Sequence, residues 1–258
     1  MIGESLFGRS MYAMKVGEGD PVGIVQCAMH GREFLTAKLA LIQFEIGVKR
    51  GSCWFVPLVN PDGALLSEIG LASVQDRVWK KRLVRINKGE DFSLWKANAR
   101  GVDLNVNFPA RWGRGENNVR FAGAENYIGP HPFSEKETLA LKRFTEQISP
   151  DYTVSYHTKG EEIYWYFHQS MHTCHRDKAL AEKISATTGY PIKTTMGSVG
   201  GYKDWCIRRF KIPSFTIEGG EDKFQHPLGE EALGGIVEKN RYVIYELSEA
   251  VYRQTRKK

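Results

Sequence analysis

No stretch of the 258-residue chain approaches the eighteen or so consecutive apolar residues that a membrane-spanning helix needs, so no membrane insertion is expected. Residues 1–10 also lack the charged-then-apolar pattern of an export signal. A soluble protein in the cytoplasm is the expectation, with an extracellular or wall-associated location as the alternative. Cysteine is scarce. The four that occur, Cys27, Cys53, Cys174 and Cys206, are far apart and form no Cys-x-x-Cys pair, which argues against a disulfide framework or a cysteine-based zinc knuckle. No repeat, low-complexity block or linker divides the sequence, and one domain over residues 1–258 is expected. The excess of basic over acidic residues gives a net charge of only +6, too weak a signal to expect a nucleic-acid partner.

What is present reads as alternating strands and helices. Residues 21–29 form a short apolar run suited to a buried strand, followed by helical periodicity from Arg32 to Val48 and a second apolar strand over residues 52–57. Asn60-Pro-Asp-Gly63 is a turn signal, and residues 61–114 show little clean periodicity, which predicts a long irregular segment. Ser134 with Glu137 is spaced as a capping box for a helix ending near Ile148. A strand over 152–156, a helix over 175–187, a glycine-rich turn at 197–201, a short helix through Trp205, a strand over 214–217 and one last helix over 229–253 complete the pattern. The alternation predicts a three-layer α/β/α sandwich around a mixed, largely parallel sheet.

Three of the predicted strands end in groups that bind or polarise. His30-Gly-Arg-Glu33 follows the first, where open α/β sheets place ligands, and a histidine and a carboxylate three apart can converge on one cation. Taken alone the pair is equally a helix start with an acidic first turn. His157 closes a second strand and Glu218 a third. Two histidines and a glutamate form a common catalytic zinc set that leaves a position for water. Burying such groups unpaired would be costly, which makes a purely structural role hard to sustain.

Gly8-Arg-Ser-Met-Tyr-Ala13, His30-Gly-Arg-Glu33, Asn60-Pro-Asp-Gly63, Gly101-Val-Asp-Leu-Asn105, His157 and Thr216-Ile-Glu218 occur in the order and near the spacing of zinc metallocarboxypeptidases of the carboxypeptidase A type, which the sequence resembles from Gly3 onward. Trp95-Lys-Ala-Asn98, Asn105-Val-Asn-Phe-Pro109 and Tyr156-His-Thr-Lys-Gly-Glu-Glu-Ile-Tyr-Trp165 are most similar to the bacterial γ-D-glutamyl-meso-diaminopimelate peptidases, which cut the stem peptide of peptidoglycan. The resemblance implies that His30, Glu33 and His157 hold one Zn²⁺, that Glu218 is the general base and then acid, and that Asp103 accepts the free ring N–H of His30. It implies that Asn105 holds a substrate carboxylate. The implied partner is a peptidoglycan-derived peptide; oligomeric state is not readable.

Two positions depart from the family pattern. Where its carboxypeptidases carry Asn-Arg, this chain has Asn105-Val106, so the bidentate clamp on a terminal carboxylate is lost. The cation that polarises the scissile carbonyl is assigned to Arg100, with Lys96 and Arg111 as alternatives. The register of the 197–205 loop places Lys203 where the family reads the side chain after the cut, and Met196 where a mobile tyrosine usually stands, with Tyr202 as the candidate replacement. A cation at 203 would select an acidic side chain; a solvated lysine at a helix start is the plainer alternative.

Other clusters are read as structural. His168, His172, Cys174 and His175 are expected to be solvated, the basic run Trp79-Lys-Lys-Arg82 with Arg85 and Lys88 to be a soluble face, and Ile163 to Phe167 to be either a substrate wall or a core strand. The rivals to a stem-peptide peptidase are a metallocarboxypeptidase of broader specificity and a catalytically silent wall-binding module.

Overall fold

Seven strands hydrogen-bond into one sheet in the order β3 (Met14–Gly17), β5 (Ser52–Val56), β4 (Val22–Gln26), β6 (Tyr152–Thr158), β9 (Ser214–Gly219), β7 (Glu162–Tyr164) and β8 (Ile192–Lys193). The computed structural model describes residues 1–194 and 197–256. The four central strands β5, β4, β6 and β9 run parallel, while β3 and the β7–β8 pair run antiparallel to their neighbours in that set. The sheet is therefore mixed and largely parallel, as the alternation of elements implies. A short hairpin of β1 (Gly3–Glu4) and β2 (Ser10–Met11) lies outside it.

Side-chain alternation along the central strands divides the core in two. Val25, Phe55, Val154, Tyr156, Phe215 and Ile217 point to one face. There they pack with residues of α1 (Thr36–Ile46), α5 (Met171–Thr188), α7 (Glu230–Asn240) and α8 (Val243–Thr255). Ile24 and Val56 point to the other, against Leu141 and Phe144 of α4 (Lys136–Ile148) and Cys206 and Ile207 of α6 (Tyr202–Phe210). This gives helices on both faces of the sheet. A smaller cluster around Leu66, Leu83 and Trp95 underlies α2 (Pro61–Ile69) and α3 (Arg77–Asn87).

Several local expectations need correction. Asn60-Pro-Asp-Gly63 opens α2 and is not a free turn: the Asn60 side chain accepts the Gly63 N–H at 2.9 Å, and Pro61 sits in the first turn, where its missing N–H leaves nothing unpaired. The stretch 61–114 thus holds two α-helices. Of α3 only Leu83 is fully buried; the helix is amphipathic but mostly basic and polar, so it offers too few apolar residues to stand out as a core helix in the sequence. The helix expected from Ser134 starts at Lys136 with Glu135 as its N-cap. Ser134 Oγ donates to Glu135 Oε1 at 2.7 Å, and no capping box forms. The last helix is two, α7 and α8, and the segment after His30 begins as a single 3₁₀ turn over Gly31–Glu33 before α1.

Two networks hold the loops over the carboxyl end of the sheet. The Asn60 amide donates to the carbonyls of Met29 and Ala97, both at 3.1 Å, while Gly31 N–H donates to Lys96 O and Arg32 N–H to Trp95 O. The segment carrying His30 is therefore stitched to the segment carrying Lys96. Gly31 permits this approach, since a Cβ there would lie 2.5 Å from Gly63 O and 2.7 Å from Trp95 O. The Asn98 amide donates to Glu135 Oε2 at 2.8 Å and Glu137 Oε2 at 3.3 Å, and its oxygen accepts the N–H groups of Arg100 and Val102. That clamp sets the path of the chain into Asp103.

Candidate metal centre and its cleft

His30 stands just past β4, Glu33 in the 3₁₀ turn that follows, and His157 near the end of β6. β4 and β6 are adjacent and parallel, so their carboxyl ends bring the three side chains together. His30 Nδ1 lies 2.8 Å from Glu33 Oε1, His157 Nδ1 lies 2.9 Å from Glu33 Oε2, and the two Nδ1 atoms are 3.1 Å apart. All three residues are buried. Among the described residues this is the only such cluster of histidine, cysteine and carboxylate groups, and it leaves out His168, His172, Cys174 and His175.

The arrangement fits a divalent cation better than it fits itself. Three atoms that carry lone pairs in their metal-binding forms point at one another at about the separation of ligands around a single small ion. The outer nitrogen of His30, Nε2, is 3.2 Å from Asp103 Oδ1, an orientation that leaves Nδ1 free to bind. An N,N,O donor set of two imidazoles and one carboxylate suits zinc. Burial opposes charge on His30, but Glu33 and Asp103 outweigh it and push its pKa up to about 9. Burial acts on Glu33 too, yet the two histidines hold its carboxyl well below the usual range. His157 moves the other way: burial, with His30 and Lys96 adding to it, lowers its pKa despite Glu33. A charged His30, an ionised Glu33 and a His157 biased toward neutrality form a group whose protons a metal would displace.

Glu218, on β9, is the direct cross-strand partner of His157 on β6. Burial and the neighbouring Glu33 raise its pKa to about 8, against the pull of His30 and Lys96. A cation held by the cluster would draw that value down toward neutrality. The carboxylate opens on a cavity of about 200 Å³ that Asn105, Tyr164, Lys203, Asp204 and Thr216 also line.

The structure separates the three candidates for a cation beside the cluster. Arg100, the residue preferred from sequence, is not brought there: its side chain is 41% exposed and its Nε faces Glu135 Oε2 at 3.7 Å, away from the ligands. Arg111 is exposed and contacts His168 at 2.6 Å. Lys96 is the one that faces the site. Its Nζ is 3.7 Å from Asp103 Oδ2, and burial, which would lower its pKa, is outweighed by the Asp103 and Glu33 charges. The same charge acts on His30, His157 and Glu218. The backbone bonds from Gly31 and Arg32 to the 95–96 segment are what bring Lys96 beside the cluster.

Of the remaining candidates, Asn105 lies on the cavity wall, its Oδ1 accepting the Tyr202 N–H at 3.3 Å. Tyr202 itself does not reach the cavity. Its ring is fully buried against Phe108 and Trp205, and its hydroxyl pairs with Thr145 at 2.8 Å, so it cannot stand in for a mobile tyrosine. Met196 lies outside the described residues. Lys203 does line the cavity, but its ammonium is already paired, with Asp204 Oδ1 at 2.5 Å and the Tyr166 carbonyl at 3.0 Å. The cavity therefore presents an ion pair, not an isolated cation. Of the 163–167 segment, weighed from sequence as a substrate wall or a core strand, Tyr164 lines the cavity while Ile163 and Trp165 belong to the core. The tyrosine hydroxyl donates to Glu162 at 2.6 Å, and the alternation in β7, with Ile163 turned to the core, is the signal that puts Tyr164 on the cavity side.

The family model described as zinc carboxypeptidase matches residues 1–242. The gamma-D-glutamyl-L-diamino acid endopeptidase 1 of Lysinibacillus sphaericus is 29% identical over 90% of this chain, and the chain spans 64% of that relative's own length. The murein peptide amidase A of Escherichia coli K12 is 33% identical over 43% of this chain and 46% of its own. Among solved structures, bovine thrombin-activatable fibrinolysis inhibitor, in complex with a tick carboxypeptidase inhibitor, superposes with a TM-score of 0.78 at 19% identity, covering 98% of this chain and 89% of that one. That likeness speaks for the fold.

Proposed function

The chain belongs to the zinc carboxypeptidase family, and on that premise we propose that it is a zinc-dependent peptidase that hydrolyses the amide between γ-D-glutamate and meso-diaminopimelate in peptidoglycan stem peptides. The observation that carries the reading is the meeting of His30, Glu33 and His157 with Glu218 opposite His157 on the next strand. When bound, zinc lowers the pKa of a coordinated water toward 7 and polarises the scissile carbonyl.

The chain's own groups do the rest. Glu218 takes a proton from the attacking water and gives it to the leaving nitrogen, a task suited to an acid whose pKa lies near the working pH. Lys96 faces the negative charge that develops on the carbonyl oxygen, and its buried position makes that attraction stronger than it would be in water. Asp103 keeps the imidazole of His30 in the tautomer that binds through Nδ1. Asn105 offers its amide N–H to a substrate carboxylate.

The Lys203–Asp204 pair gives the substrate class a finer basis. A cation alone would favour any acidic side chain. An ion pair favours a side chain that carries both charges and docks antiparallel to it, carboxylate on Lys203 and ammonium on Asp204. Diaminopimelate ends in that combination. The names of the Lysinibacillus and Escherichia relatives, on diamino-acid and murein peptides, support the same class.

The test compares turnover of L-alanyl-γ-D-glutamyl-meso-diaminopimelate with the matched peptides ending in lysine or glutamate, each lacking one of the two charges. The expected order has the diaminopimelate peptide ahead by tenfold or more in kcat/KM. Equal turnover of all three would return the protein to the class of broad carboxypeptidases. Glu218→Gln is expected to lower kcat by about 10²–10⁴ with zinc still bound. A variant as active as the parent would exclude the mechanism altogether, and absence of both zinc and turnover in the parent would leave a silent binding module.

A further inference from the structure

A cavity of about 580 Å³ lies apart from the cleft beside Glu218. It lies on the outer side of α6, with Arg208 and Lys211 on one side, Arg111 and Arg114 on the other, and Phe167 and His168 on the wall between. None of the residues lining it is acidic. Among the described residues, none of the four cations has a carboxylate within ion-pair distance, whereas the Lys203 and Arg176 cations of two other cavities are each paired with an aspartate. Four like charges around one hollow make a local positive potential that attracts an anion.

Two of the residues meet across the hollow. Arg111 and His168 both hold left-handed backbone, with φ of 56° and 49°, which is uncommon for arginine and less so for histidine. Their side chains meet at 2.6 Å. A guanidinium group only donates, so in this contact the histidine nitrogen is the acceptor and orients the Arg111 side chain. Behind it, Phe167 is buried and carries the Lys203 ammonium 5.6 Å from its ring centroid, so the wall of this hollow touches a residue that lines the cleft.

We infer that the hollow lined by Arg111, Arg114, Arg208 and Lys211 is a second binding site, separate from the peptidase cleft, for a phosphate group carrying two negative charges. A singly charged carboxylate would leave most of the four cations unmatched. A dianionic phosphate offers three acceptor oxygens and can be held by two forked guanidinium groups at once. The group can arrive as free phosphate or as the end of a phosphomonoester.

The experiment is calorimetric titration of the zinc-loaded protein with inorganic phosphate and, separately, with glycerol phosphate, against acetate and chloride at matched ionic strength. Saturable binding of phosphate at least tenfold tighter than acetate is expected. If both phosphates bind, the site takes esters as well; if only the inorganic ion binds, the free ion is its ligand; either supports the site. The paired substitutions Arg111→Gln with Arg208→Gln, and separately Arg114→Gln with Lys211→Gln, lie on exposed side chains and should each weaken phosphate by tenfold or more with an unchanged melting temperature. Phosphate binding no tighter than acetate, or binding that survives both pairs, as it would if phosphate went to the zinc, overturns the inference.

Discussion

Glu137 offers a test of the electrostatics that does not depend on catalysis. Its side chain is fully buried in the first turn of α4, with Oε2 on the Asn98 amide and Oε1 without a partner among the described residues. Burial, helped by the charges of Asp62 and Glu135, raises its pKa from the ordinary 4.5 to about 7, against the Asn98 bond. The sign follows from proton counting: between those two values the native chain keeps a proton that the unfolded chain has lost, so stability falls as pH rises from 4.5 to 7 and is level beyond. At about 1.4 kcal/mol per pH unit the full penalty is roughly 3 kcal/mol above pH 7, and roughly 1 kcal/mol of it is already present at pH 5.5. Glu137→Gln mimics the protonated acid: the amide oxygen keeps the Asn98 bond, and the added N–H stands where the unpaired carboxyl O–H would be. Urea unfolding of parent and variant at pH 5.5 and 8.0, with zinc saturating throughout, gives two differences in which the titrating groups that do not interact with Glu137 cancel. The variant's advantage should be about 2 kcal/mol larger at pH 8.0 than at 5.5. An advantage independent of pH would falsify the account of this buried carboxyl.

The metal centre yields further expectations. Glu33→Ala should reduce bound zinc, measured by elemental analysis, to background, and should cost stability by removing the one group that neutralises both histidines. Asp103→Asn keeps the shape but loses the charge behind His30, so zinc affinity in a chelator competition should fall by about 10–100-fold. Lys96→Met should lower kcat by about 10²-fold with a smaller change in KM, whereas Arg100→Met should leave both within about twofold. The reverse pattern in steady-state kinetics would restore Arg100 to the site.

The sequence told most where a residue's role depends on the chain next to it. Short apolar runs ending in His30, His157 and Glu218 named the strands and the ends at which ligands gather, and the sheet then brought them together by the parallel pairing of β4, β6 and β9. It told least where a charge is decided by a partner far away. Nothing adjacent to Arg100 reveals that Glu135 draws it outward, and nothing adjacent to Trp95-Lys96 reveals that Gly31 and Arg32 bind their carbonyls. Tyr202 misled for another reason: a glycine-rich loop precedes it, but it already belongs to α6, whose inward face is core. Lys203 does line the cavity beside Glu218, yet its neighbour in sequence, Asp204, changes what that position offers.

The pairing of His157 with Glu218 across β6 and β9 also sets how the molecule could change over time. The spacing between His157 and Glu218 is fixed by main-chain ladders deep in the sheet, while Lys203 and Asp204 sit in the first turn of a helix at its rim. In the proposed function, reaction and selectivity therefore rest on different parts of the backbone. Exchanging that rim for another should retarget the protein without disturbing its chemistry, whereas a one-residue slip between the two strands would destroy the chemistry and leave the rim intact.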